Sequence, residues 1–508
     1  MTIEIISRAS RYTDHIAAID KSGSHTYSEI LNLANSIANK LLANKSDLKE
    51  ERILFMVAPG HKYIATQWGI WIAGGIAVPI ALSHPAEEIN HIIEDTSSNK
   101  IILDSEFSDA LDGLQNNIEL IDTNEINTSL RNNKYPEIDE SRRAMIIYTS
   151  GTTNKPKGVV TTHLNIKSQI TALIKSWEWV DSDHILNVLP LHHVHGIVNA
   201  MLCALWSGAI CEFLPSVDPA KIWNKLSSNK ITLFMAVPTM YEKLISFWSD
   251  LPEKNQKSIK KQMSHLRLMV SGSDALLPNT LRQWKTITGH VLLERYGMTE
   301  VGMALSNPLN GKRIPGFVGN PLPGVQTRIC SIDFDSSQNP VSLDIEVPQG
   351  DEGELQIKGK NVFLEYWNNP EITSSSFSKD GWFRTGDIAS TENGIYKIWG
   401  RASQDIIKTG GEKVSANEIQ YVLRTHPEIK ECAVIGMKDK KWGEAVSAAI
   451  VLAKGSSLDR IKLRKWAKTK LINYKVPQNI LIVESLPRNT MGKIIKPKIK
   501  KMFSKKFN

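Results

Sequence analysis

Tyr148-Thr-Ser-Gly-Thr-Thr-Asn-Lys-Pro-Lys-Gly158 is flanked by two apolar runs, Ala144-Met-Ile-Ile-Tyr148 and Val159-Val160. The runs read as short buried strands. Between them lie hydroxyls, glycines and lysines, the chemistry of a loop that holds a polyanion. Small residues let backbone N–H groups approach anionic oxygens, hydroxyls add donors, and Lys157 adds a point charge. The spacing is not that of a Walker A loop, because no G-x-x-x-x-G-K-[ST] pattern is present. Composition by itself favours a solvated hairpin loop, so the meaning of the stretch depends on the rest of the chain.

Working outward, short apolar runs recur at 52–57, 185–189, 231–235 and 266–270, with amphipathic helical patterns at 164–177 and 278–288. Such alternation predicts largely parallel α/β layers. Residues 64–84 carry no Asp, Glu, Lys or Arg, but Gly74-Gly75 and Pro79 break the run. It reads as a buried helix followed by a strand at 76–81, with no membrane span. From about Val325 the pattern shifts to shorter strands with polar turns, and 338–353 reads as a mobile loop. Beyond Gly400 the chain reads as a compact α+β unit, with helices at 416–425 and 458–471 and strands at 433–436 and 448–452. A length of 508 residues exceeds what one core organises. The expected domains are 1–402 and 403–508, with the boundary near Arg401-Ala-Ser403.

A net charge of +8 suits anionic ligands. The lysine-rich stretch from Lys493 to Lys506 reads as solvated surface. No recognisable nucleic-acid module is present, so a nucleic-acid partner is not expected. Four scattered cysteines exclude a disulfide framework. With Glu4 and Asp14 early in the chain and no apolar leader, they point to a reducing, cytoplasmic location.

Four further clusters carry chemistry. Leu293-Glu-Arg-Tyr-Gly-Met-Thr-Glu300 follows an apolar run, at the kind of strand end where α/β sheets bind ligands. Tyr296 can stack on a base, Thr299 can donate to a phosphate, and Glu300 can hold Mg²⁺ against phosphates. Trp382-Phe-Arg-Thr-Gly-Asp387 places an acceptor after a tight turn. Gly400-Arg-Ala-Ser-Gln-Asp405 continues into Lys408-Thr-Gly-Gly411, and Pro487-Arg-Asn-Thr-Met-Gly-Lys493 ends the series.

The order of these five motifs resembles that of the adenylate-forming superfamily of acyl-CoA synthetases, adenylation domains and luciferases. The resemblance implies an α/β fold, with a large multi-layered N-terminal domain that includes a small β subdomain. A small, mobile α+β C-terminal domain follows. It implies ATP and coenzyme A as co-substrates, Mg²⁺ as the metal and a small-molecule carboxylic acid as substrate, in a monomer or homodimer. Thr149, Ser150, Gly151, Thr152, Thr153, Lys157 and Gly158 correspond to the loop over the ATP phosphates, with Asn154 where the family usually has Gly. Tyr296, Thr299 and Glu300 match the adenine, phosphate and Mg²⁺ positions. Asp387 and Arg401 match the ribose ligands, and Lys493 the lysine of the adenylation step. Ser403 falls at the hinge, where many relatives carry Asp or Lys. Gly410 and Gly411 would line the pantetheine tunnel, and Trp442-Gly-Glu444 matches a segment common in the CoA ligases.

Two stretches bear on the acid. Pro190-Leu-His-His-Val-His-Gly196 has no acidic or cysteine ligand nearby in sequence, which argues against a metal. The resemblance puts His193 at the floor of the acyl pocket. Arg295 precedes Tyr296 directly. A buried, unpaired guanidinium is expensive in an apolar pocket, whereas its fork suits a second carboxylate. The alternative is internal pairing with Glu294 or another acid. The segments around Arg295 and Arg313 look most like those of the malonyl-CoA synthetases. Met298 and Met303 would then trim the pocket, and Arg295 with His193 would bind the distal carboxylate of malonate or methylmalonate. A CoA ligase for another short, medium or aryl acid, and an adenylation protein that loads a carrier, remain the alternatives.

Overall fold

The apolar runs become strands where expected: Arg52–Met56, Arg143–Thr149, His184–Asn187, Leu233–Ala236 and Leu268–Ser271. The computed structural model describes residues 3–111, 118–126, 134–149, 156–214, 216–335, 340–488 and 494–507. They divide into two units. The first comprises 1–276, 280–326 and 357–383, and the second 277–279, 327–356 and 384–508.

Among the described residues, the first unit holds two sheets. The nine-stranded sheet runs Asn320–Pro321, Gly302–Ser306, Leu293–Met298, Leu268–Ser271, Leu233–Ala236, His184–Asn187, Ile210–Phe213, Ile16–Asp20, Gly23–Thr26. Its inner strands are parallel. The seven-stranded sheet runs Glu365–Tyr366, Lys157–Thr162, Arg143–Thr149, Ile76–Pro79, Arg52–Met56, Lys100–Leu103, Glu119–Asp122. The uncharged run at 64–84 splits as predicted into the helix His61–Ile72 and the strand Ile76–Pro79. No helix among the described residues is long and apolar enough to cross a membrane.

The helix His163–Trp177 leaves the Lys157–Thr162 strand through a capping box. Thr162 Oγ1 accepts from Asn165 N–H and the Asn165 side chain accepts from Thr162 N–H. Such a cap contributes about 1 kcal/mol and fixes where the helix starts. A core of Trp223, Tyr241, Leu244, Trp284 and neighbours packs one face of the nine-stranded sheet. Trp223 stacks on Trp284 at 5.3 Å between ring centroids, and Tyr241 meets Trp284 edge-on at 4.7 Å. Contacts of this kind add about 0.5–1.5 kcal/mol each beyond burial.

The second unit holds the small α+β fold. Strands Glu412–Ser415, Ile406–Thr409, Gly443–Leu452 and Ile429–Asp439 form its sheet, and Asn479–Ile482 pairs with Gly443–Leu452. The helices are Ala416–Leu423, Arg460–Ala467 and Lys496–Phe507. The expected loop at 338–353 is corrected in part: Pro340–Glu346 is a strand, paired antiparallel to Val325–Phe334. Val341, Leu343 and Ile345 alternate with Ser342, Asp344 and Glu346, a period of two that the Pro and Gly content obscured.

Candidate functional site

The two strands around the opening motif pair antiparallel, which sets Tyr148 opposite Gly158 and Thr149 opposite Lys157. Ser150, Gly151, Thr152, Thr153 and Asn154 lie outside the described residues, as does Lys493. Tyr148 Oη donates to Asp95 Oδ2 at 2.6 Å. Burial, and then the neighbouring carboxylate, push its pKa up, so the phenol stays protonated.

Tyr366 joins two of the predicted residues. The strand Glu365–Tyr366 pairs with Val159 and Val160. Lys157 Nζ lies 5.6 Å from the Tyr366 ring centroid. Tyr366 Oη donates to Glu300 Oε1 at 2.8 Å, and Phe363 N–H donates to the Glu300 carbonyl at 2.7 Å. Glu300 is buried at the turn between Leu293–Met298 and Gly302–Ser306, beside Thr299. One phenol thus fixes the carboxylate with its hydroxyl and receives the lysine on its face. Tyr366 is not marked in the sequence as a site residue. Its only signal is the aromatic-rich run Phe363-Leu-Glu-Tyr-Trp367.

Alternation along Leu293–Met298 sends Glu294 and Arg295 to opposite faces. Glu294 does not pair with Arg295. Its Oε1 accepts from Gly316 N–H at 3.1 Å, and burial pushes its pKa up to about 8. Arg295 is 3% exposed. Among the described residues it enters no ion pair, and its Nε and Nη1 have no hydrogen-bond partner. Burial pushes the guanidinium down to about 9. It keeps its charge near neutrality and therefore needs an anion.

The register of the parallel neighbour explains the space it occupies. Val270 pairs with Leu293 and Ser271 with Glu294, so Gly272 falls beside Arg295. A Cβ on Gly272 would stand 2.4 Å from Arg295 Cζ and 2.5 Å from Nη1. Ser273 follows with φ +70°, a left-handed conformation that costs a non-glycine residue about 1–2 kcal/mol. That turn brings Ser273 Oγ within 3.4 Å of both Arg295 Nη2 and His195 Nδ1. His195 is buried and held well below the usual imidazole pKa, by burial first and then by Arg295 and His193. It is a neutral imidazole.

His193 meets His192 with ring centroids 4.0 Å apart and planes tilted by 54°. Burial pushes His192 down to about 2, with help from His193 and His84. Of the three histidines in the motif, His195 is the one the structure ties to Arg295 through Ser273. Gly272, Ser273 and His195 escaped sequence reasoning, since a parallel-strand register sets their proximity to Arg295.

Tyr296 and Met298 are half-buried, and Met303 is buried across the hairpin. Met303 N–H donates to Gln169 Oε1 at 2.6 Å. Gln169 lies on the same helix that Thr162 caps.

In the second unit, Asp387 and Arg401 sit opposite each other on paired strands. Arg401 Nε lies 3.0 Å from Asp387 Oδ1, and Nη1 donates to the Thr385 carbonyl at 2.5 Å. Ser403 is exposed in the turn that follows. In the same turn, Asp405 accepts Arg401 N–H at 2.7 Å and pairs with Lys496. Gly410 and Gly411, with φ +61° and +86°, make the two-residue tip of the Ile406–Thr409 and Glu412–Ser415 hairpin. Two positive φ values in succession suit a type I′ turn. Gly410 N–H donates to the Trp442 carbonyl at 2.9 Å, and Lys408 N–H to Glu444 Oε2 at 2.9 Å. The Trp442-Gly-Glu444 segment therefore braces the hairpin.

Residues 6–367 match the family described as AMP-binding enzyme, and residues 418–493 match its C-terminal domain. The chain is 43% identical to the mitochondrial malonate–CoA ligase ACSF3 of Homo sapiens over 521 residues, covering 97% of this chain and 90% of that protein. It is 39% identical to the malonate–CoA ligase of Arabidopsis thaliana over 97% of this chain and 87% of that one. Among solved structures, ATP-bound MatB from Rhodopseudomonas palustris superposes with a TM-score of 0.88 at 30% identity, covering 100% of both chains.

Proposed function

The chain belongs to the AMP-binding enzyme family, and from that premise we propose that it joins malonate to coenzyme A using ATP. It is an AMP-forming acyl-CoA synthetase. One carboxylate oxygen of the acid attacks the α-phosphorus of ATP, and pyrophosphate leaves. The CoA thiolate then attacks the carbonyl carbon of the mixed anhydride, the acyl–oxygen bond breaks, and AMP leaves. Both steps bring anionic groups together, so catalysis rests on positioning and on neutralising charge.

The observation that carries the choice of acid is Arg295. Its buried guanidinium has two nitrogens without partners, and a diacid supplies a second carboxylate for that fork. Malonate and methylmalonate present the same pair of carboxylates to it. His195 and Ser273 join Arg295 around the distal carboxylate, with His193, Met298 and Met303 shaping the acid's surroundings.

Tyr296 takes the adenine, Thr299, Lys157 and the 149–158 loop take the phosphates, and Asp387 with Arg401 takes the ribose. Lys493 serves the adenylation step, and Ser403 is the hinge of a C-terminal domain beginning at 403. Gly410 and Gly411 line the pantetheine path. Glu300, whose buried carboxylate is oriented by Tyr366, would hold Mg²⁺, which when bound would supply neutralisation of phosphate charge. A cytoplasmic location belongs to the same reading, supported by four cysteines that are all free and buried.

The test is pyrophosphate release from ATP, with and without CoA, across acetate, malonate, methylmalonate, succinate and octanoate. Malonate or methylmalonate should give the highest kcat/KM, and acyl-CoA should form only when CoA is present. Faster turnover of acetate or octanoate would sink the diacid reading. AMP release that depends on a carrier protein and not on CoA would sink the thioester acceptor.

A further inference from the structure

We propose that Asp20, His25 and His61 form a binding site for one divalent transition-metal ion of the Zn²⁺ class, apart from the residues assigned to ATP, acid and CoA. Asp20 ends the strand Ile16–Asp20, His25 lies on its hairpin partner Gly23–Thr26, and His61 opens the helix His61–Ile72. Both ring nitrogens face one carboxylate. Asp20 Oδ2 is 2.7 Å from His61 Nδ1, and Oδ1 is 3.4 Å from His25 Nε2. Ser22 Oγ lies 2.9 Å from the same His25 nitrogen. The imidazoles stack with centroids 3.6 Å apart and planes 18° from parallel, so one ring turns out of the stack for both in-plane lone pairs to reach one ion.

A ligand atom from each of the three residues lies within 4.8 Å of the others. Donors about 2.0–2.1 Å from a tetrahedral Zn²⁺ stand roughly 3.3 Å apart, a spacing the three side chains reach when one imidazole rotates out of the stack. Two imidazoles and one carboxylate suit Zn²⁺, Co²⁺ or Ni²⁺ and not Mg²⁺ or Ca²⁺, which take oxygen ligands. The fourth position falls to Ser22 Oγ or water.

The surroundings are built for entry from one side. Each histidine side chain is 18% exposed, while that of Asp20 is 6% exposed. The rings open to solvent over a fixed carboxylate. A side chain at Gly60 would place its Cβ 2.5 Å from Asp20 Oδ2, so the glycine leaves the cradle in which the carboxylate sits. Asp20 also accepts Ser22 N–H at 2.8 Å and His61 N–H at 2.9 Å, which orient it toward both rings. An ion bound there clamps the hairpin to the start of the helix.

The experiment titrates Zn²⁺ into metal-stripped, full-length protein against a chromophoric chelator. One equivalent per chain should bind tightly, and His25→Gln and His61→Gln should each weaken it by at least about 100-fold. His84→Gln, in the separate cluster with His192, should leave it unchanged. In wild-type protein with labelled histidines, the ring resonances of His25 and His61 should shift on adding Zn²⁺, a readout that needs no variant to fold. Unshifted resonances at saturating Zn²⁺, unchanged affinity in the two variants, or loss of binding in His84→Gln would each overturn the proposal.

Discussion

A guanidinium 3% exposed with two unpaired nitrogens stores an unmet electrostatic demand that a bound anion relieves. Arg295→Ala should lower kcat/KM for malonate by about 100- to 10,000-fold, the equivalent of two charge-assisted hydrogen bonds at about 1.5–3 kcal/mol each. Acetate turnover in the same variant should hold or improve. Gly272→Ala inserts a methyl 2.4 Å from Arg295 Cζ and should lower malonate kcat/KM by about 10- to 100-fold through misplacement. Steady-state kinetics on both acids check each outcome, and an equal loss on acetate would mark general damage instead. Glu294 makes a pH prediction. Its folded pKa of about 8 lies above its ordinary value of 4.5, so between those values the folded state binds the extra proton. Stability therefore falls as pH rises through that window, by up to about 1.4 kcal/mol per pH unit. Glu294→Gln should abolish that slope in denaturant melts from pH 5.5 to 7.5. The sequence showed Arg295 because burying a charge on an apolar strand is rare. It hid Gly272, Ser273 and His195, whose proximity exists only once strands pair.

Among the elements, strands and helices with a strong period were legible, and short or punctuated ones were not. The helix predicted at 164–177 appears as His163–Trp177, because its cap and its apolar face agree. Pro340–Glu346 escaped because Pro340 and a left-handed Asp344 at φ +56° imitate loop chemistry. The helix expected at 458–471 shrinks to Arg460–Ala467, since Asp459 caps it by accepting Lys462 N–H. The sequence shows the glycine pair at Gly410 and Gly411 but not the bracing of the turn by Trp442 and Glu444. Gly410→Ala forces a Cβ into a left-handed residue 3.0 Å from the Trp442 ring. It should destabilise the second unit by about 1–2 kcal/mol. If this tip receives CoA, the thioester step measured from supplied malonyl-adenylate should slow more than adenylation does. Rapid-quench measurement of the two steps separates them.

For the whole molecule, two units carry different sets of assigned residues. Arg295, Tyr296 and Glu300 belong to the first, and Asp387, Arg401, Gly410 and Gly411 to the second. The order of the five motifs is legible because each occupies its own stretch of the chain. Lys493→Ala should abolish malonyl-adenylate formation while leaving CoA attack on supplied malonyl-adenylate largely intact. Equal loss of both half-reactions, followed as pyrophosphate and thioester release, would remove that lysine from its assigned step. The helix His163–Trp177 has a wider meaning. Thr162 anchors it to the strand that begins at Lys157, and Gln169 anchors it to Met303 beside the acid residues. The seven-residue step from Thr162 to Gln169 spans about 10 Å of rigid rod. The rod sets a fixed gauge between the Lys157–Thr162 strand and the Arg295 neighbourhood, so a substitution at Met303 that displaces its backbone should also be felt at the strand that begins at Lys157.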